Sequence, residues 1–295
     1  MPHTYTIWLS IFFGFLLNGA LSWGAQPVVT ANPAFFPTAS PTPGGIAHVD
    51  VGSHGEAPRV YFGARRVMTL KRPESDHYTA VVGLPLDLTP GDHALTMTDV
   101  QGTQTEIKFT ITAKEYETQH ITVKNKQFVN PDPTNLKRIA TESQAIQTAL
   151  KTWRDTAAPT MPFMIPAIGP YSSPFGLRRF FNNEARKPHS GLDIAAPIGT
   201  KVLSPSQAVV LNVGNYFFNG KTVFLDHGQG LISMYCHLQS INVKPGQPLK
   251  RGAVFGTVGQ SGRVTGPHLH WGVFLNHAAV DPLLFLENPA QPVKP

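Results

Sequence analysis

His189 and Asp193 stand four residues apart, and 75 residues beyond Asp193 come His268 and, two positions later, His270. Between the pairs, Met234-Tyr235-Cys236-His237-Leu238 places one more histidine inside an apolar run. Imidazole nitrogen with carboxylate oxygen is a ligand set that suits zinc. Three protein ligands and one open position is the pattern of a catalytic rather than a structural zinc. On a strand or extended loop, residues i and i+2 share a face, as do i and i+4. His189 can therefore face one ion with Asp193, while His268 and His270 look into the same cleft. No H-E-x-x-H motif is present, so a metallopeptidase of that helical type, with its glutamate base, is excluded.

The flanks of these residues resemble the lysostaphin-type (LytM-like) zinc metallopeptidases, which hydrolyse peptide bonds in peptidoglycan. Ser173-Pro174-Phe175-Gly176-Leu177-Arg178 is similar to the start of that domain. Gly191-Leu192-Asp193-Ile194-Ala195-Ala196-Pro197-Ile198-Gly199-Thr200 resembles its first ligand block, and Gly259-Gln260-Ser261-Gly262 through Trp271-Gly272-Val273 its last. The likeness spans roughly residues 165–287. It implies one Zn2+ held by His189, Asp193 and His270, with His237 and His268 as the catalytic histidines beside it. It also implies hydrolysis of peptide bonds, D,D cross-links above all, by water activated at the metal. The alternative on the same fold is a catalytically silent wall-binding protein or amidase activator. Relatives of that kind lose one or more metal ligands, whereas all five residues are present here.

The remaining histidines carry no such pattern. His227 reads as a turn residue after a strand, and His48, His54, His77, His93 and His120 as surface residues. Arg178–Pro188 reads as a loop ahead of the first ligand and a candidate wall of the substrate groove. The single cysteine, Cys236, excludes an intramolecular disulfide. If His237 faces the site, strand alternation turns Cys236 away into a core as an inert thiol and gives Tyr235 the parity of the cleft, with a core position as the alternative.

Elements that would position these residues follow from composition. The chain of 295 residues has room for about two domains. Its 26 Gly and 27 Pro favour short strands joined by turns. A mainly β fold is expected: a small β-sandwich, a linking amphipathic helix and a β-rich catalytic domain. Residues 1–25 read as a secretory signal, with an apolar core from Ile7 to Leu17 and small residues for cleavage after Gly24. That segment is shorter than the roughly 20 residues of a membrane span. The expected destination is the periplasm or cell envelope, with secretion or an N-terminal anchor as alternatives. Residues 1–25 contain no charged side chain, so the remainder keeps the formal charge of +6, suited to an anionic wall or membrane surface. No aromatic-interleaved basic patch of the nucleic-acid-binding kind occurs. Peptidoglycan is the expected partner, with room for a regulatory protein.

Residues 27–115 carry short alternating runs at 47–51, 59–62, 80–84, 94–97 and 107–111, with a turn at Thr89-Pro90-Gly91-Asp92. They resemble the immunoglobulin-like domain that precedes some of these peptidases, and could act as a docking module or block the groove. Residues 116–160 read as a linker with a helix over 133–153. Asp132 caps it, Pro133 opens it, and Leu136, Ile139, Ile146, Leu150 and Trp153 form one apolar stripe for the domain junction. Residues 161–290 return to β, with runs at 209–215, 222–226, 231–238, 254–258 and 268–274 and a type I′ hairpin signal at Asn219-Gly220.

Overall fold

The computed structural model describes Met1 and residues 36–122, 130–156 and 158–289; residues 1–25, expected to be a secretory signal, thus lie outside the described residues except for Met1. The first sheet contains β1 (Ile46–Ser53), β2 (Arg59–Phe62), β3 (Arg65–Lys71), β4 (His77–Gly83), β5 (Gly91–Thr98) and β6 (Gln104–Ile111). Their order, β1-β4-β3-β2-β5-β6, brings β1 and β6 near each other, so the sheet curls into a barrel-like unit. Ala47, Val49, Val60, Val67, Ala80, Val82 and Leu95 fill it.

β3 does not stand out in the sequence because it lacks alternation. Val67, Met68, Thr69 and Leu70 are all buried. Val67 faces its own sheet's core, while Met68 and Leu70, with Ile46 and Val81, join a cluster containing Leu231, Leu275 and Val280 of the larger sheet. A strand covered on both faces reads as a continuous apolar run. Two turn amides complete the junction. Asn276 accepts from Gly83 N (2.6 Å) and donates to Gly83 O (2.9 Å). Gln229 accepts from Thr69 N and donates to Thr156 O, both at 3.0 Å. Position 83 is a glycine of necessity, because a Cβ there would lie 2.5 Å from Leu275 O.

β7 (Thr118–Ile121) leads to α1 (Pro133–Leu150). The helix starts as expected, with Asp132 Oδ1 accepting from Asn135 N at 2.8 Å. It ends at Leu150, not Trp153, and Leu136 is exposed. Its buried side is Ala149 and Leu150 with Ala145 and Ile146, packed on Tyr216, Phe224, Ile232, Met234 and Phe274 of the larger sheet. The helix therefore covers that sheet instead of the junction. Trp153 reaches the junction from the segment after it: the Arg66 guanidinium lies 4.3 Å from its ring, and the ring covers Gly230.

The rest of the chain forms β8 (Tyr171–Ser173), β9 (Arg178–Phe181), β10 (Glu184–Ala185), β11 (Leu192–Ala195), β12 (Lys201–Leu203), β13 (Ala208–Tyr216), β14 (Gly220–Gly228), β15 (Leu231–Ile241), β16 (Pro248–Leu249), β17 (Val254–Val258), β18 (His268–Leu275) and β19 (Ala278–Val280). Ten of these build one sheet on the path β16-β13-β14-β15-β18-β11-β8, with β12, β17 and β19 at its margins. The segment expected as a loop before the first ligand is instead the β9–β10 hairpin, turning through Asn182 and Asn183 at φ 51° and 68°. It pairs with β7 in parallel. The Asn219-Gly220 turn also differs: Tyr216 pairs with Gly220, and of Asn219 and Gly220 only the glycine has positive φ. A type I′ turn needs both. No described helix is long and apolar enough to cross a membrane.

Candidate metal centre

β18 sorts its side chains by parity. Leu269, Trp271, Val273 and Leu275 enter the core, each 0% exposed. His268, His270, Gly272 and Phe274 take the other face; Phe274 packs in the cluster that α1 covers, and the histidines lie further along. β11 pairs with β18 so that Asp193 stands opposite His270 and Ala195 opposite His268. Directly opposed residues of an antiparallel pair share a face. His189 arrives from the preceding segment, whose backbone is pinned by His189 N to Leu177 O (2.9 Å) and Gly176 N to His189 O (2.8 Å). Gly191 is required between the two: a Cβ there would fall 2.7 Å from His270 Cε1 and 2.6 Å from Trp271 O.

Three atoms converge. His189 Nε2 lies 3.0 Å from Asp193 Oδ1 and 3.0 Å from His270 Nδ1, and His270 Nδ1 lies 2.9 Å from Asp193 Oδ1. His189 Nδ1 donates to Pro174 O at 2.8 Å, which in the neutral ring leaves Nε2 as a lone pair turned inward. Four-coordinate zinc with ligands near 2.0–2.1 Å spaces them about 3.3 Å apart. The donor types, their inward lone pairs and their spacing fit such an ion. Burial favours the neutral carboxyl of Asp193, yet the hydrogen bonds from His189 and His270 outweigh it and hold its pKa well below the usual range. Burial is also the largest cause that lowers the pKa of His270.

His268 and His237 line the same place. His268 Nε2 is 3.8 Å from Asp193 Oδ1, and its Nδ1 donates to Gly266 O at 2.9 Å. His237 Nδ1 donates to Ser261 O at 2.8 Å, and its ring centroid is 4.8 Å from that of His268. Burial, then the neighbouring His270 and His268, push His237 down to about 3. With Nδ1 donating, the neutral form of each ring presents Nε2 as its acceptor.

Strand alternation does not explain His237. Its φ is +64°, and between Lys221 and Val223 the β14–β15 register shifts so that Cys236 and His237 together oppose Thr222. That is a β-bulge, which re-aims a side chain. Cys236 consequently pairs with His270 and shares its face, although it is buried under the helix with its thiol pushed up to about 12 by burial. Tyr235 does not line the cleft; it is 0% exposed in the core against Phe255.

Two further groups serve the site. Arg179 Nη2 donates to Asp193 Oδ2 (3.1 Å) and to Ser173 Oγ (2.6 Å). Only the Ser173-to-Arg178 block hinted at them. His227 is remote from this cluster: buried, it bonds Gln207 O (3.0 Å) and Ser233 Oγ (2.7 Å). His77 and His120 are exposed, while His48, His54 and His93 are half-buried.

Comparison with known proteins agrees with this architecture. Residues 187–282 match the model of peptidase family M23, and residues 39–114 that of the family's N-terminal domain. The DD-endopeptidase ShyA of Vibrio cholerae is 40% identical over 111 residues, 37% of this chain and 26% of ShyA. ShyC of the same organism is 42% identical over 90 residues, 30% of this chain and 21% of ShyC. The match thus spans about a quarter of these curated relatives' length. A crystal structure of a Pseudomonas aeruginosa protein assigned to peptidase M23 is 41% identical, with a TM-score of 0.71 over 84% of this chain and 95% of that one. Joined to the two family models and the His-Asp-His cluster, that near-complete correspondence shows that the chain belongs to peptidase family M23, whose members are zinc-dependent.

Proposed function

We propose that this protein is a zinc endopeptidase that hydrolyses peptide bonds of peptidoglycan, D,D cross-links in particular. The convergence of His189 Nε2, Asp193 Oδ1 and His270 Nδ1 within hydrogen-bond distance of one another carries the reading. These three residues hold the ion. Bound zinc supplies Lewis-acid polarisation of the scissile carbonyl and a nucleophilic water near neutral pH. His237 and His268 do the proton work. Their Nδ1 atoms are tied to Ser261 O and Gly266 O, so each offers Nε2 to accept a proton, and, once protonated, to donate to the oxyanion or the leaving amine. Arg179 holds Asp193 through its second oxygen and is a positioning residue.

In the same reading the chain divides at 27–115, 116–160 and 161–290, acts in the cell envelope after export, and uses the β9–β10 hairpin as a wall of the substrate groove. The names of ShyA and ShyC support the choice of bond. Purified cross-linked muropeptide, followed by mass spectrometry, tests the roles of the two histidines. His237→Ala and His268→Ala proteins should keep one zinc and lose about 10²- to 10⁴-fold in rate. Undiminished hydrolysis by either variant would remove that histidine from the mechanism.

A further inference from the structure

His237 takes a left-handed backbone conformation, φ +64°, within the β15 bulge. For a residue other than glycine that conformation is strained and persists only where the surroundings impose it. Two bonds impose it here. His237 N donates to Asn219 O at 2.9 Å, and its ring Nδ1 donates to Ser261 O at 2.8 Å. The backbone of His237 is thus set by the turn that joins β13 to β14, and its ring by the loop beside that turn.

The turn is itself held from two sides. Tyr216 pairs with Gly220, so Phe217, Phe218 and Asn219 form it. On one side Phe218 O accepts from Arg263 N at 2.8 Å, and Lys221 N donates to Ser261 Oγ at 2.9 Å, which joins the turn to the loop. On the other side lies α1. Glu142 Oε2 accepts from Phe217 N at 2.7 Å, and Arg138 Nη2 donates to Asn215 O at 3.0 Å. The two side chains are joined to each other, Arg138 Nε donating to Glu142 Oε1 at 2.6 Å. The Glu142 side chain is only 17% exposed. A carboxylate accepting a backbone N–H makes a stronger bond than a neutral acceptor, so this contact fixes the turn rather than merely touching it. Ala149 and Leu150 anchor the end of the helix in apolar packing, and the Arg138–Glu142 clamp fastens its middle to the turn.

Each residue of the turn therefore has a bond with a purpose: Phe217 to the helix, Phe218 to the loop, Asn219 to His237. We propose that Glu142 is a positioning residue for the reaction. Through Phe217 N it fixes the turn whose Asn219 O holds His237, and so aims His237 Nε2 into the cleft; Arg138 orients Glu142 for that task. This rests on the peptidase reading above, in which His237 moves a proton.

The test follows hydrolysis of a purified cross-linked muropeptide dimer by full-length, zinc-loaded proteins. Glu142→Ala should lower kcat by about 10- to 100-fold, with KM and zinc content unchanged. Glu142→Gln, which keeps an oxygen for Phe217 N, should recover most of that loss. In a His237→Ala background the Glu142→Ala change should have no further effect, because the group it positions is gone. An equal loss in both backgrounds, which general loosening of the fold would give, would overturn the proposal, as would full activity of Glu142→Ala. Arg138→Met changes an exposed side chain and repeats the comparison should Glu142→Ala fail to fold; a kcat loss confined to the His237 background is expected, and no loss or an equal loss in both backgrounds would overturn the proposal. No hydrolysis by zinc-loaded wild type would overturn the peptidase reading itself.

Discussion

At the scale of the residue, Asp193 is the hub: both metal-facing histidines meet one of its oxygens and Arg179 the other. Partners that orient a metal ligand typically contribute 10- to 100-fold in metal affinity. Arg179→Met should therefore weaken zinc binding by about that factor, read by competition with a chromogenic chelator; unchanged affinity would show Arg179 idle. The His/Asp pairs are visible in the sequence because their spacing and flanks are local. Arg179 is not: the Ser173-to-Arg178 block ends beside it, but its reach to Asp193 depends on the β9–β10 hairpin, which the sequence does not show. His227 yields a second prediction. Burial lowers it from 6.5 to about 4, so the unfolded chain takes up a proton between those values and the folded chain does not. Its contribution is complete above about pH 6.5 and is lost as pH falls toward 4, amounting to about 3 kcal/mol. In urea unfolding at about pH 7.5 and 4.5, His227→Gln should show a smaller loss of stability on acidification than wild type. An identical loss would assign the acid sensitivity to other groups.

At the scale of the element, the site depends on irregularity as much as on strands. Alternation suffices for β18, where His268 and His270 share one face. It fails for β15, where the bulge at His237 turns that ring into the cleft and leaves Tyr235 in the core. A bulge has no simple sequence signature, which is why parity alone points Tyr235 at the cleft and Cys236 away from the face of His270, although the expected burial of the Cys236 thiol holds. β3 is hidden for another reason, since burial of both its faces removes the period. The start of α1 is legible from Asp132 and Pro133; its end is not, because Trp153 continues the apolar spacing while packing elsewhere. The cap gives a measurable expectation: Asp132→Ala should cost about 1 kcal/mol in denaturant unfolding without changing zinc content. A coincident loss of zinc would mean that the helix also braces the metal site.

At the scale of the whole molecule, the two sheets share a buried cluster and are joined by the amides of Asn276 and Gln229. The five clustered residues come from the adjacent strands β15, β18 and β11 and from the segment just before β11, which is how residues as distant in sequence as His189 and His270 form one centre. The two-part, mainly β plan is legible from turn spacing; the fusion of the cores is not, because it depends on contacts between distant segments. The central claim is that this centre cuts peptide cross-links only when zinc fills it. The most direct measurement removes the metal with a chelator, restores zinc in increments, and follows cleavage of a purified cross-linked muropeptide dimer by mass spectrometry. Activity should be absent without metal and return in proportion to occupancy, saturating at one zinc per chain, while His270→Ala protein stays inactive throughout. Cleavage by the metal-free protein, or by the His270→Ala variant, would contradict the account.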